Sequence, residues 1–249
     1  MPLILSIETA TTVCSVAIAR DGKLMSLQEI NAGFSHSENL TIFIQKASEE
    51  AGIKLNELDA IAVSKGPGSY TGLRIGVSTA KGLCYALKKP MIAIPTLQSL
   101  AGRYLASNVL LLDSNLLALG SDVMSPGSYV LAPGSIVLLP MLDARRMEVY
   151  SALFDSSLNV ISPAEAVIVD KNSFAEILKT NQVVFLGDGS AKCKPLFENN
   201  PNAVFAEVNL SATGMVSLAE DKFAKRDFED VSMFEPFYLK EAFIGNAKD

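Results

Sequence analysis

One histidine, three cysteines and a deficit of basic residues set the first limits on this chain of 249 residues. Cys14, Cys84 and Cys193 are odd in number, far apart and without a CxxC pair, which fits thiols kept reduced inside a cell better than a disulfide frame or a zinc knuckle. A Ser-His-Asp relay needs a histidine to carry the proton, and the one candidate, His36 in "SHSENL", reads more simply as a polar residue in the first turn of a helix. Lys and Arg number 21 against 27 Asp and Glu, so the net charge is -6 and the chain lacks a surface to hold nucleic acid unaided. A basic partner would have to supply that surface. No apolar run approaches the roughly 18 residues of a membrane span, since even "NVLLLDSNLLALG" is broken by Asp113, Ser114 and Asn115. The start, "MPLILSIETAT", meets Glu8 before any long apolar stretch and has neither a basic leader nor a small-residue cleavage site. The expectation is a cytoplasmic protein with no signal peptide and no membrane segment.

With 49% hydrophobic and 19% charged residues and no low-complexity tract, the chain can bury a sizeable core, and its length suits two lobes. "LILSIETA", "CSVAIARDG" and "KLMSLQEI" read as an antiparallel meander, the second strand closed by the Asp21-Gly22 hairpin signal. A helix over residues 35 to 51 follows: Ser35 and Glu38 form a capping box, Leu40, Ile44, Ala47 and Ala51 share one face, and Gly52 ends it. Then come a buried strand "LDAIAVSK", a helix "SYTGLRIGVSTAKGLCYALKK", a strand "PMIAIP" and a helix "TLQSLAGRYLA" that Thr96 could cap. The order is β-β-β-α-β-α-β-α.

Residues 106–135 fit no element and read as an insertion. From residue 136 the pattern restarts with strands in "VLLPMLDA", "EVYSALFD" and "LNVISPAEAVIV", a helix "KNSFAEILKT", a strand "VVFLGDG" and a late helix in "SATGMVSLAEDKFAKRD" with Ser211 as its cap. Two copies of one unit, the second degenerate, describe this most simply: residues 1–105 form one lobe and 106–249 the other, with the last helix able to pack back on the first lobe.

The segment "SKGPGSYTGLRIG" follows a strand with a tight turn, in which Gly66 or Gly68 can take positive φ and Ser69 can cap the next helix. Ser69, Thr71 and Arg74 beside the free N-H groups of a helix start could bind an anion, yet the spacing is not GxxxxGK[ST]. Inside that helix Gly68, Gly72, Gly76 and Ala80 recur every four residues, while Leu73, Val77, Cys84 and Leu87 form its apolar face. Interior glycine costs roughly 0.5 to 1 kcal/mol relative to alanine, so Gly72, Gly76 and Gly82 together give up about 1.5 to 3 kcal/mol. Close packing of a second helix on the stripe would offset this. Either the protein's own first helix fills that place, or, as favoured here, a partner does. Ile42 and Phe43 lie outside the main apolar stripe of the first helix and would extend the same interface to a four-helix bundle.

"IETATTVCSVAI", "GPGSYTGLRIG" and "LDARRMEVY" together resemble the TsaB (YeaZ) family of bacterial tRNA threonylcarbamoyladenosine biosynthesis, over nearly the whole chain except residues 106–135. The resemblance implies the two-lobed α/β fold of actin, sugar kinases and Hsp70 (the ASKHA fold). It also implies a noncatalytic scaffold or activator that pairs with a TsaD-like transferase, which modifies adenosine 37 of tRNAs reading A-starting codons. A TsaE-like ATPase would join the pair, tRNA would be met only through the complex, and the chain alone would form a homodimer through the two helices named above. The paralogous transferase holds a metal through a His-x-x-x-His pair and a carboxylate; here His36 is followed four residues later by Leu40, so no metal site is expected.

In the same superfamily two hairpin loops cradle phosphate. The first corresponds to "IETATT", with Glu8, Thr9 and Thr11 and no glycine; the second to "LDARRME", with Asp143 followed by bulky Arg145 and Arg146. Gly187 and Gly189 of "LGDGS" stand at the turn that packs on adenine, interrupted by Asp188. Glu8 and Asp143 could hold magnesium or act as a base, but reading them as acceptors for nearby backbone N-H groups is preferred. The expectation is a weak, degenerate nucleotide cleft, no cofactor required by this chain alone, and ATP or ADP with magnesium only in an assembled complex. The alternative is a free-standing small-molecule kinase of this superfamily, which should keep glycine-bearing loops in both lobes.

Overall fold

Leu3–Glu8 (β1) is buried at every residue because it lies in the middle of a sheet covered on both faces, antiparallel to Val13–Arg20 (β2) and parallel to Ala60–Gly66 (β4). Lys23–Asn31 (β3) and Met91–Pro95 (β5) complete the order β3-β2-β1-β4-β5. The computed structural model describes residues 2–33, 36–112 and 132–240. The expected Ser35 cap and most of the 106–135 segment fall outside them. Asp21 and Gly22 both have positive φ, as the tight hairpin between β2 and β3 requires.

His36–Glu50 (α1) and Tyr70–Leu87 (α2) lie on this sheet around one core that includes Leu5, Ile7, Val16, Leu40, Ile44, Ile61 and Val77. Gly52, at φ 65°, ends α1 as expected. Ser69 caps α2, accepting the Gly72 N-H at 3.2 Å. Thr96 opens the next helix, Thr96–Leu112 (α3), but its hydroxyl accepts the N-H of Gly66 at 3.1 Å, tying that helix to the end of β4.

The second half repeats the arrangement. Ile136–Asp143 (β6), Glu148–Phe154 (β7), Val160–Ile168 (β8), Gln182–Leu186 (β9) and Ala203–Ala206 (β10) form a sheet of order β10-β9-β6-β7-β8, the first sheet's order read from the other edge. Ala175–Thr180 (α4), Lys194–Phe197 (α5) and Val216–Ala224 (α6) supply its helices. The duplicated β-β-β-α-β-α-β-α unit of the two-lobed ASKHA-like fold is therefore present among the described residues. The α5 and β10 elements were not legible in the sequence, since four residues each are too short to show a period.

The helix that ends each unit packs on the sheet of the other. Leu97, Leu100 and Ala101 of α3 are buried with Leu138, Leu142, Ala152 and Leu186. Met215 and Ala219, at the start of and within α6, are buried with Ile4, Ala62, Ile92 and Ile94 of the first sheet.

The small-residue stripe of α2 requires a correction. Gly72, Gly76 and Ala80 are buried, and the neighbour that lies against the two glycines is Thr9, not α1. A Cβ at Gly72 would fall under 3.0 Å from the carbonyl oxygen of Thr9, one at Gly76 equally close to the Thr9 hydroxyl, and one at Gly68 2.5 Å from the Ala10 carbonyl oxygen. The helix is thin on that side so that it can lie against the end of β1. Gly82 is the exception, exposed with nothing within 4 Å of its missing Cβ. Gly82→Ala should therefore stabilise the protein by up to about 1 kcal/mol through helix propensity alone, a gain that thermal denaturation reads as a higher midpoint.

Candidate functional site

Between the lobes lies a cleft of about 1250 Å³. Its walls are the turn after β1 (Ala10 to Thr12), the start of α2 (Gly68 to Thr71), the β6-β7 hairpin (Leu142 to Glu148), Asp188, and a C-terminal stretch, Tyr238 to Lys240. Thr11 and Asp143 thus line the cleft, whereas Glu8, Thr9, Gly187 and Gly189 do not. Ser69 serves both as helix cap and as wall.

Glu8 is fully buried at the end of β1. Its Oε1 accepts the N-H of Ala10 at 2.8 Å and the hydroxyl of Ser64 at 2.7 Å, and its Oε2 is buried without a partner. Burial raises its pKa to about 7, against the lowering effect of the bonds from Ser64, Ala10 and Thr9. This carboxyl is sealed from the cleft and holds the turn. Thr9 is equally buried, its hydroxyl donated to the carbonyl of Gly72 at 2.8 Å. His36 secures the same turn from α1: its Nε2 lies 2.8 Å from the carbonyl oxygen of Thr11, and since a carbonyl only accepts, Nε2 carries the proton.

Asp143 ends β6 at the opposite wall. Its Oδ1 accepts the N-H of Arg145 at 2.7 Å and pairs with Lys192 at 2.5 Å, while its own N-H donates to Asp188 Oδ1 at 3.1 Å. Partial burial works against its charge, but the bonds from Lys192 and Arg145 outweigh it and hold the carboxyl below its usual range. Arg145 and Arg146 both take positive φ, 72° and 49°, an unusual backbone for long side chains at the tip of a hairpin. Gly187 has φ 85° and packs on Met141, and Gly189 on Leu142 and Asp143, so both lack a side chain for the sake of β6.

These residues do not fit a magnesium nucleotide in the superfamily manner. One carboxylate is sealed, the other is already committed to Lys192 and Arg145, and neither glycine turns toward the space. Among the described residues no three His, Cys, Asp or Glu side chains converge to hold a metal ion, and no helix is long and apolar enough to cross a membrane.

The sequence did not reveal Tyr238 and Lys240 as cleft residues. The aromatic run "FEPFY" beyond the last helix was the available signal. Of the expected interface residues, Ile42 (48% exposed) and Arg74 face solvent, the latter with its guanidinium 5.0 Å from the centre of the Tyr70 ring. Phe43 is half-buried against the first core. The outward face of α2 carries Thr71, Arg74, Ser78, Gly82 and Tyr85, the last 87% exposed.

The sequence profile of the TsaD family, tRNA N6-adenosine threonylcarbamoyltransferase, matches residues 31–114. The tRNA threonylcarbamoyladenosine biosynthesis protein TsaB of Escherichia coli is 38% identical over 103 residues, 39% of this chain and 42% of its own length. The TsaB protein of Bacillus subtilis is 27% identical over 204 residues, covering 79% of this chain and 75% of its own. The chain thus spans less than half the length of the E. coli relative and three quarters of the B. subtilis one. YeaZ from Pseudomonas aeruginosa shares the fold, with a TM-score of 0.75 at 22% identity over 96% of this chain and all of that one. With a sequence likeness to the B. subtilis protein over 79% of this chain and a fold shared almost from end to end with YeaZ, the chain is similar to the TsaB (YeaZ) proteins and has their fold.

Proposed function

We propose that this chain is a noncatalytic subunit of the machinery that forms N6-threonylcarbamoyladenosine at position 37 of tRNA, acting in the cytoplasm as scaffold and activator of a TsaD-like transferase. The observation that carries the noncatalytic part is the sealed Glu8. The carboxyl at the end of β1 is 0% exposed, so a kinase reading, which needs an acid facing the bound phosphate, is disfavoured. A nucleotide and magnesium would then belong to the assembled complex, with a TsaE-like ATPase joining it and tRNA held by the partner, in keeping with the net charge of -6.

The docking surface is the outward face of α1 and α2. It is not the glycine stripe. Ile42 of α1 and Tyr85 of α2 are large and exposed, while the exposed Ser78 and Gly82 of α2 are small enough for another helix to approach closely. The same face would pair with a second copy when the transferase is absent.

Co-purification with a TsaD-like transferase tests this reading. A stable heterodimer is expected, and the double variant Ile42→Arg with Tyr85→Arg should weaken it by about 2 kcal/mol or more while melting like the parent protein. Retention of full affinity by that folded variant would move the interface elsewhere, and phosphoryl transfer by the isolated chain would favour the kinase.

A further inference from the structure

The residues after α6 pack against neither lobe alone. Glu229 donates its N-H to the carbonyl of Met91 on the free edge of β5 at 2.9 Å. Lys81 of α2 donates to the carbonyls of Ser232 and Phe234 at 3.2 and 3.1 Å, and Val231 and Phe234 pack against the first core. Phe237 donates its N-H to the carbonyl of Lys65 at 2.6 Å. Its own carbonyl oxygen lies where a Cβ on Gly66 would have to go. Gly66, at φ 113°, is thus glycine twice over: for the turn and for the passage of this segment.

Up to this point every anchor is in the first lobe. The next residues cross the cleft. The Tyr238 ring sits 4.8 Å from that of Tyr70 of the first lobe and packs into an apolar cluster that the lobes share, with Ala10 and Leu73 from the first and Leu142 and Tyr150 from the second. Lys240 then pairs with Glu148 of β7 at 2.5 Å. We propose that residues 227–240 are a clasp that sets the opening of the cleft, permanently fixed to the first lobe and releasably latched to the second by Tyr238 and Lys240.

The two ends differ in kind, which makes the device directional. The first-lobe end is held by backbone hydrogen bonds, two bonds from Lys81 and the half-buried apolar pair Val231 and Phe234. The latch is one aromatic side chain whose hydroxyl is buried without a partner, and an ion pair whose lysine is half exposed. An exposed pair is weak, and a buried hydroxyl with no bond detracts from its own site. Releasing the latch therefore leaves the segment attached to α2 and β5 while freeing the lobes from each other on the cleft side. The latch is also within reach of the outside, because Tyr70, on which Tyr238 packs, carries Arg74 on its other contact at the exposed start of α2.

Spin labels on cysteines introduced at Glu49 of α1 and Lys179 of α4, both exposed, report the distance between the lobes in the full chain. The native thiols do not compete: all three are buried, and burial pushes Cys14 up to about 11, Cys84 up to about 12 and Cys193 upward as well. The double variant Tyr238→Ala with Lys240→Ala is expected to shift the distance distribution to longer values and broaden it, with circular dichroism unchanged. An unchanged distribution in the folded variant overturns the clasp. If that variant does not fold, Lys240→Glu, which only reverses a charge opposite Glu148, decides by the same criterion: broadening supports the latch, and an unaltered distribution refutes it.

Discussion

Gly72→Ala is expected to destabilise the protein by about 2 kcal/mol, although alanine is the better helix former by about 1 kcal/mol. The added methyl would meet the Thr9 carbonyl oxygen under 3.0 Å, with Ser69 Cβ and Oγ both at 3.3 Å on its other side. Thr9 cannot withdraw. It follows directly on β1, which is paired on both edges by β2 and β4, and its hydroxyl is bonded to the carbonyl of this same Gly72. Relief must come from moving α2 off the sheet, which loosens the contacts of Leu73 and Val77 beneath it, and overpacking of that kind costs about 1 to 3 kcal/mol or more before the propensity gain is subtracted. In a chain of this size a net loss of about 2 kcal/mol lowers the melting midpoint by roughly 4 to 8 °C. A variant that melts at or above the parent temperature would show that α2 is not pressed onto Thr9.

That contact marks the boundary of what the sequence discloses. The recurrence of Gly68, Gly72 and Gly76 announces a close approach, which offsets the helix cost of Gly72 and Gly76. It does not say what approaches, because the neighbour, Thr9, stands 63 residues earlier in the chain. The opposite face of α2, which we propose as the docking surface, exposes Ser78, Gly82 and Tyr85 and carries no comparable pattern. Long elements were legible for a simple reason: β1 is mostly apolar, α1 has a cap signal and a clean apolar stripe in its sequence, and Asp21-Gly22 is a strong hairpin signal. The pieces of four residues, α5 and β10, carry no such redundancy.

The cleft divides in the same way. Asp143 could be placed at a strand end from its neighbours, and its carboxylate accepts a nearby backbone N-H, that of Arg145. Glu8 was legible as a carboxylate at the end of β1, but which side of the turn it faces depends on Ser64 of a different strand. For Tyr238 and Lys240 the aromatic run "FEPFY" marks a segment that packs somewhere, but the chain path from α6 that brings it to the cleft is set by distant contacts.

The second large effect is a loss of stability with rising pH that a single substitution removes. The Glu8 carboxyl has a folded pKa of about 7 against an ordinary value of 4.5. Between those values the folded protein holds a proton that the unfolded chain has released, so the number bound is greater in the native state and stability falls as pH rises. The favourable term is fully present below pH 4.5, declines through the window and is gone above about pH 7. Its full size is about 3 kcal/mol. Asp143 does not confuse the reading: its pKa is lowered, so its contribution is present at neutral pH and is lost only in acid, below the range where Glu8 acts. Glu8→Gln keeps an oxygen to accept the Ala10 N-H and the Ser64 hydroxyl but cannot ionise. Urea unfolding at pH 5, 6, 7 and 8 should therefore show the variant gaining on the parent across the series, by about 3 kcal/mol in all. Parallel pH profiles for the two proteins would mean that Glu8 is charged and solvated in the native state, and would return it to the list of acids able to face the cleft.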